Sequence, residues 1–357
     1  MQKTINVGVI GCGEATQILH IPTLRELSDR FRITALCDAS PTVVDGVGAL
    51  LPDATRYHDS SSLLTDPQVD AVLIANPNAL HAPTAIEAMH RGKHVLIEKP
   101  MCMTLDEADA LAEAEAQTGM RVQIGYMRRH APAFEEAVGI VGQIRQSINF
   151  ARVHAIIGPN SSFVNATSTV IKGDDIPQSV LDHTTRETNA RLTEAIGTHE
   201  RPRAQVYNLL LGLSSHDISA MRELLGMPQR VLGAAFRRQG MFYNASFDYG
   251  DFICQFETGI DSVARFDAHL AVYAEEKTVR VDYDTPYIRH QPAVLTVTSA
   301  NTPFGITTSS GHQSRGDAFV IEWKRFHEAI VNNGPIKTTI ADARLDLEIF
   351  QQMMQEM

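Results

Sequence analysis

Residues 94–104 read HVLIEKPMCMT and set a glutamate, a lysine and a proline at the end of a short apolar run. His94, Val95, Leu96 and Ile97 suit a buried strand. Pro100 lacks an N–H and ends any ladder at its own nitrogen. Two opposite charges held there are either a strand-end ion pair or an ammonium being aimed. A lysine whose charge is opposed by desolvation or a neighbouring cation can exchange a proton near neutral pH. The chemistry open to Lys99 is therefore acid–base work, with Glu98 beside it to orient it. A cis Lys99–Pro100 bond would further restrict where the ammonium points.

A second constellation stands near the start of the chain, in VGVIGCGEAT. Gly11 and Gly13 lie between an apolar run and a helical one. The first glycine suits a tight turn, and the second lets backbone come close to a phosphate. Glu14 and Ala15 open the helix, whose free N–H groups and dipole favour an anion. The third small position is Thr16 rather than glycine or alanine, so the fingerprint is imperfect. Asp38 closes the next apolar run at the spacing, roughly 20 residues on, where an acid binds ribose hydroxyls in dinucleotide sites. A carboxylate there repels a 2′-phosphate, so the pattern points to NAD rather than NADP. The bland reading of Asp38 is a turn former at a strand end. ANPNALH, residues 75–81, adds a rigid turn from Asn76, Pro77 and Asn78, with His81 at the next helix. It is either a plain strand–helix turn or a further cofactor contact.

These residues need a scaffold that brings them to one edge. INVGVIG, FRITALCD, VDAVLIAN, HVLIE and RVQIGY are near-continuous apolar runs, the pattern of parallel strands buried on both faces. Helical stretches separate them: Glu14 to about Ser28, PTAIEAMHRGK, and TLDEADALAEAEAQTG with Thr104 and Glu107 in capping-box spacing. Such alternation predicts a doubly wound parallel (Rossmann) sheet, with ligands at the carboxyl ends of its strands. After about residue 128 strands follow one another without helices between them. In KTVRVDYD, Val279, Val281 and Tyr283 alternate with Arg280 and Asp282, as in a sheet wet on one face. The chain is thus expected to be α/β, with a Rossmann domain over 1–128 and an α+β domain over 129–335. The second carries a large open, mostly antiparallel sheet. A polar insertion near 159–202, helical from Gln178 to Ile196, interrupts the second domain. It would either lid the site or form subunit contacts. Residues 336–357 form a helix expected to pack back on the first domain.

The 357 residues carry a net charge of −11 and show no basic block or stripe, which argues against nucleic acid or anionic membrane as partner. No apolar run approaches the roughly 20 residues needed to span a bilayer. The start, MQKTINVGVIGCG, enters a strand at once and lacks signal-peptide architecture. Cys12, Cys37, Cys102 and Cys254 have neither CxxC pairing nor histidines at metal spacing, so no metal is expected. Asn160, Asn165 and Asn244 head glycosylation triplets that are read as chance. A cytoplasmic protein is the expectation.

Together GVIGCGEAT, CDAS, NPNALH, EKPMCMT and GYMRRHAPAF resemble the glucose-fructose oxidoreductase/inositol dehydrogenase (Gfo/Idh/MocA) family. The likeness extends over nearly the whole chain, through the later sheet to TTIADARLDLEIFQQM. It implies a nicotinamide-dependent enzyme that oxidises or reduces one hydroxyl or ketone position of a sugar, glycoside or cyclitol. It also implies catalytic roles for Lys99 and, in GLSSHDISAMRELLG, for His216. Where the family commonly has an aspartate four residues before that histidine, this chain has Gly212. Asp182, His183 and Asp217 are the candidates to replace it. Tyr126, Arg128 and His130 are placed to border the substrate, although solvated surface charge is an equal reading of Arg128 and Arg129. Two other functions fit the resemblance: a glycosidase or lyase that retains NAD and oxidises transiently, and a non-catalytic NAD-binding sensor. An open sheet face further predicts a homodimer or homotetramer.

Overall fold

The apolar runs of the first part become six parallel strands in the computed structural model, which describes residues 3–302, 304–312 and 314–357. They are β1 (Ile5–Ile10), β2 (Phe31–Cys37), β3 (Thr55–Tyr57), β4 (Ala71–Ile74), β5 (His94–Ile97) and β6 (Val122–Ile124). Their order is β3-β2-β1-β4-β5-β6, and each adjacent pair is parallel. Strand order reverses between β1 and β4, the switch point at which open α/β sheets bind ligands. Val9, Leu73 and Leu96 are fully buried; helices on both faces leave no wet side, so the sequence shows no polar alternation. The helix Leu105–Thr118 starts on the expected Thr104–Glu107 capping box and ends at Gly119, whose φ is +66°.

This sheet belongs to a compact unit made of Met1–Tyr126, Ser168–His199 and Phe319–Leu347. The late helix Ala318–Val331 supplies Trp323 and Phe326, both fully buried in the same core as Leu24, Phe31 and Leu36. Trp323 meets Phe31 edge-on with ring centroids 5.1 Å apart. The two units divide the chain at other residues than the 1–128, 129–335 and 336–357 expected from sequence. Residues 168–199 of the polar stretch, including the expected helix Gln178–Ile196, join the first unit. The last helix, Ile340–Glu356, is divided: its residues through Leu347 lie with the first unit and Glu348–Met357 with the second. Asp346 is tied down by the Tyr126 hydroxyl at 2.6 Å, and Thr338 bonds the Ile124 carbonyl at 2.6 Å.

The second unit comprises Met127–Thr167, Glu200–Ala318 and Glu348–Met357. Its strands are β7 (Ile148–Ile157), β8 (Arg230–Arg237), β9 (Phe242–Asp248), β10 (Ile253–Ile260), β11 (Phe266–Ala274), β12 (Lys277–Tyr283), β13 (Val294–Thr302) and β14 (Gly305–Gly311). The order is β14-β13-β12-β11-β7-β10-β9-β8. Among the described residues only β7 and β10 pair in parallel, so the sheet is mostly antiparallel, as expected. Along β7, Ala151, Val153, Ala155 and Ile157 are buried. The intervening face carries Arg152 and His154, the latter stacked on His269 at 4.9 Å. Among the described residues no helix is long and apolar enough to cross a membrane.

Candidate functional site

At the end of β1, Gly11 has a φ of +94°, and a Cβ there would lie 2.3 Å from the Ala75 carbonyl oxygen. Only glycine fits, for conformation and for space. A Cβ on Gly13 would meet no protein atom within 4 Å, so packing does not require that glycine. An uncrowded backbone at this point suits the approach of a pyrophosphate. Thr16 departs from the fingerprint for a visible reason: its hydroxyl donates to the Gly11 carbonyl at 2.6 Å and braces the turn. Asp38 accepts from the Cys12 N–H at 2.8 Å and the Ser40 N–H at 2.9 Å, joining the end of β2 to the glycine turn. A carboxylate has about four lone-pair sites, so acceptor capacity remains for ribose hydroxyls. Glu14 and Ala15 stand half-buried at the helix start. These residues fit a dinucleotide.

The exits of β4 and β5 are held together by His81, which is 2% exposed. Its Nε2 lies 2.7 Å from the Asn76 carbonyl and its Nδ1 2.7 Å from the Pro100 carbonyl. Burial pushes its pKa down against the pull of both carbonyls. The ring spans the two carbonyls, its neutral form donating its single N–H to one of them, and His81 serves this unit as a clasp between two turns. The Asn76 amide donates to Thr84 at 3.1 Å, while Pro77 and Asn78 open a short 3-10 turn. The Lys99–Pro100 bond is cis.

Glu98 is held from two sides. One oxygen takes the Nε2–H of fully buried His20 at 2.7 Å, and the other takes the Lys99 backbone N–H at 3.1 Å. The Trp323 indole donates to His20 Nδ1 at 3.1 Å, which assigns the ring proton to Nε2. Burial alone would raise the Glu98 pKa; the hydrogen bond from His20 and the neighbouring His20 and Lys99 hold it below the usual range. Glu98 thus acts on Lys99 through its backbone. Sequence reading missed His20 and Trp323, since nothing local links residues so far apart. The motif EKP marked only the far end of the chain of bonds.

The remaining candidates have distinct placements. Asp182 accepts from Gln178 at 2.8 Å on the exposed side of its helix, and His183 is exposed one residue on. Both belong to the first unit. In the second, His216 stands half-buried in the first turn of the helix Ser215–Leu225. A Cβ at Gly212 would meet nothing within 4 Å, so the missing family aspartate is not explained by crowding. Asp217, 1% exposed, is paired with Arg128 at 2.5 Å. The Arg128 guanidinium also lies 5.4 Å from the Phe266 ring and 5.1 Å from the Tyr283 ring. Burial pushes the Asp217 carboxyl up while Arg128 opposes it. Arg129 pairs with Glu223 at 2.5 Å. At 4% exposure each, neither arginine is the solvated surface charge that the sequence allowed. His130 is fully buried in the same 3-10 turn. Among the described residues no cluster of three or more His, Cys, Asp or Glu is placed to hold a metal.

Residues 5–126 match the Gfo/Idh/MocA family, described as an oxidoreductase family with an NAD-binding Rossmann fold. An inositol 2-dehydrogenase of Saccharopolyspora erythraea is 33% identical over 172 residues, 46% of this chain and 50% of that protein. The chain thus spans about half the length of that curated relative. A scyllo-inositol 2-dehydrogenase (NADP(+)) of Bacillus subtilis is 24% identical over 69% of this chain and 60% of its own. Among solved structures, KijD10, a 3-ketoreductase from Actinomadura kijaniata in complex with TDP-benzene and NADP, superposes with a TM-score of 0.75. It shares 17% identity over 99% of this chain and 98% of its own. That likeness is one of fold.

Proposed function

We propose, for a chain that belongs to the Gfo/Idh/MocA oxidoreductase family through its residues 5–126, an NAD-dependent oxidation of one hydroxyl of a sugar, glycoside or cyclitol, or the reverse reduction. The observation that carries this reading is the set of groups at the carboxyl ends of β1, β2 and β5: the Gly11–Gly13 turn, Asp38 and Lys99. Gly11, Gly13, Glu14 and Ala15 hold the phosphates, Asp38 the ribose, and Asn76, Pro77 and Asn78 border the cofactor. Bound nicotinamide supplies the hydride acceptor or donor. Lys99 and His216 take the hydroxyl proton or return it, a task for groups whose pKa lies near the working pH. Inositol dehydrogenases among the relatives favour a cyclitol or sugar as substrate. The four buried free thiols suit a reducing, cytoplasmic setting.

A panel of polyols, sugars and glycosides, followed at the NADH absorbance, tests the reading. Turnover with stoichiometric NADH supports it. Turnover without net NADH would select the retained-cofactor reaction, and ligand binding without turnover would select the sensor. Asp38→Ala should weaken NAD binding by about 1–3 kcal/mol and reduce discrimination against NADP. Calorimetric titration of both dinucleotides checks this, and a wild-type preference for NADP would refute the role of Asp38. The wet face of the second unit's sheet, with Ile253 43% and Tyr273 38% exposed, is expected to be covered in a homodimer or homotetramer. Sedimentation at micromolar concentration should find no monomer.

A further inference from the structure

Residues 168–176 run as a strap against the end of β2 and the start of the helix Pro41–Ala49. Gln17 grips the strap at Ile171, donating to its carbonyl at 2.9 Å and accepting its N–H at 2.8 Å. The same Gln17 amide donates to the Cys12 carbonyl in the glycine turn at 2.8 Å. Ile171 packs on the core cluster, and a Cβ on Gly46 would come within 2.8 Å of it. Further along, a Cβ on Gly173 would collide with the Ser40 hydroxyl at 2.1 Å. The strap is a fitted part of the first unit.

Its end delivers a carboxylate. Asp175 accepts from the Ser40 hydroxyl, from the Thr42 N–H at 2.9 Å and from the Thr42 hydroxyl at 2.8 Å. Those hydrogen bonds, Ser40 first, hold its pKa down to about 2, so it is an anion at any working pH. Ser40 therefore lies between two carboxylates, Asp38 on its N–H and Asp175 on its hydroxyl. If Asp38 binds the ribose, the residues just after it must accommodate any 2′-phosphate. Here they offer hydroxyl and N–H donors at a helix start and no arginine, and the donors are already taken.

We propose that Asp175 is a specificity-determining residue that excludes NADP by occupying, from the strap, the anion-accepting groups of Ser40 and Thr42. The inference rests on the cofactor reading above and adds to it a second, non-local carboxylate. The two acids then differ in kind. Asp38 holds NAD and repels NADP; Asp175 touches neither ribose nor phosphate of NAD and only repels NADP.

Calorimetric titration of the full-length protein with NAD and with NADP tests this in wild type, Asp175→Asn and Asp175→Ala, with folding checked by thermal melts. Asp175→Asn retains an acceptor without the charge and protects the test against a collapsed strap. Both variants should bind NADP about tenfold more tightly or better, because each removes a like charge and Asp175→Ala releases the Ser40 and Thr42 donors as well. NAD affinity should stay within about twofold of wild type. An unchanged ratio in both folded variants, with NAD still bound, would overturn the role of Asp175 while leaving the dinucleotide site intact. Failure of wild type to bind NAD would instead overturn the cofactor reading, and this proposal with it.

Discussion

Lys99→Ala should lower kcat on a true substrate by about 10²–10⁴-fold, the usual effect of losing a general acid–base group. NAD affinity should hardly change, because the phosphates are assigned to the glycine turn and the ribose to Asp38. His216→Ala should act in the same way. If the two residues handle one proton as a unit, the double variant should be little worse than the worse single variant. The pH–rate profile should show an ionisation that shifts or vanishes in one of them. Glu98 adds a further readout, since it holds the Lys99 backbone N–H and is itself anchored by His20 and Trp323. Its replacement should disturb both stability and turnover. A Lys99 of purely structural importance would behave otherwise, with a lower melting temperature and near-normal kcat in the folded fraction. Full kcat in Lys99→Ala would end the catalytic assignment.

Arg128→Ala should destabilise the second unit by about 3–5 kcal/mol, because it leaves the buried Asp217 carboxylate without its counter-charge. Asp217 is 1% exposed and burial already raises its pKa, so little solvent is at hand to take over from Arg128. The aromatic contacts of the guanidinium with Phe266 and Tyr283 would be lost as well. Replacing both partners by apolar residues of similar volume, Arg128→Met with Asp217→Leu, should recover most of the loss. Urea unfolding followed by circular dichroism measures it. The double variant also separates two roles for this pair. If they only brace the fold, it should regain turnover along with stability; if either contacts substrate, stability returns and KM does not.

Much of the fold was legible in the sequence for a local reason. A strand buried on both faces has no use for polar alternation, so the runs ending at Ile10, Cys37, Ile74 and Ile97 announced a parallel sheet. Glycine at a left-handed position, proline after a strand and a Thr–Glu capping box are also short-range signatures, since each states a backbone requirement of its own position. Gly11, Pro100 and Thr104 stand where those requirements placed them. Partners that meet across the chain had no such signature. Charged residues are solvated by default, so nothing in RRH said that Arg128 and Arg129 would be buried against Asp217 and Glu223. Nothing in a polar insertion said that Asp175 would return to the end of β2, or that Trp323 would donate to His20. Periodicity and turn chemistry are properties of neighbouring residues, whereas an ion pair or a hydrogen bond between distant ones exists only once packing has brought them within reach and taken the water away. The sheet and its edge of loops were thus determined locally; which side chains hold that edge in place was decided by the tertiary structure alone.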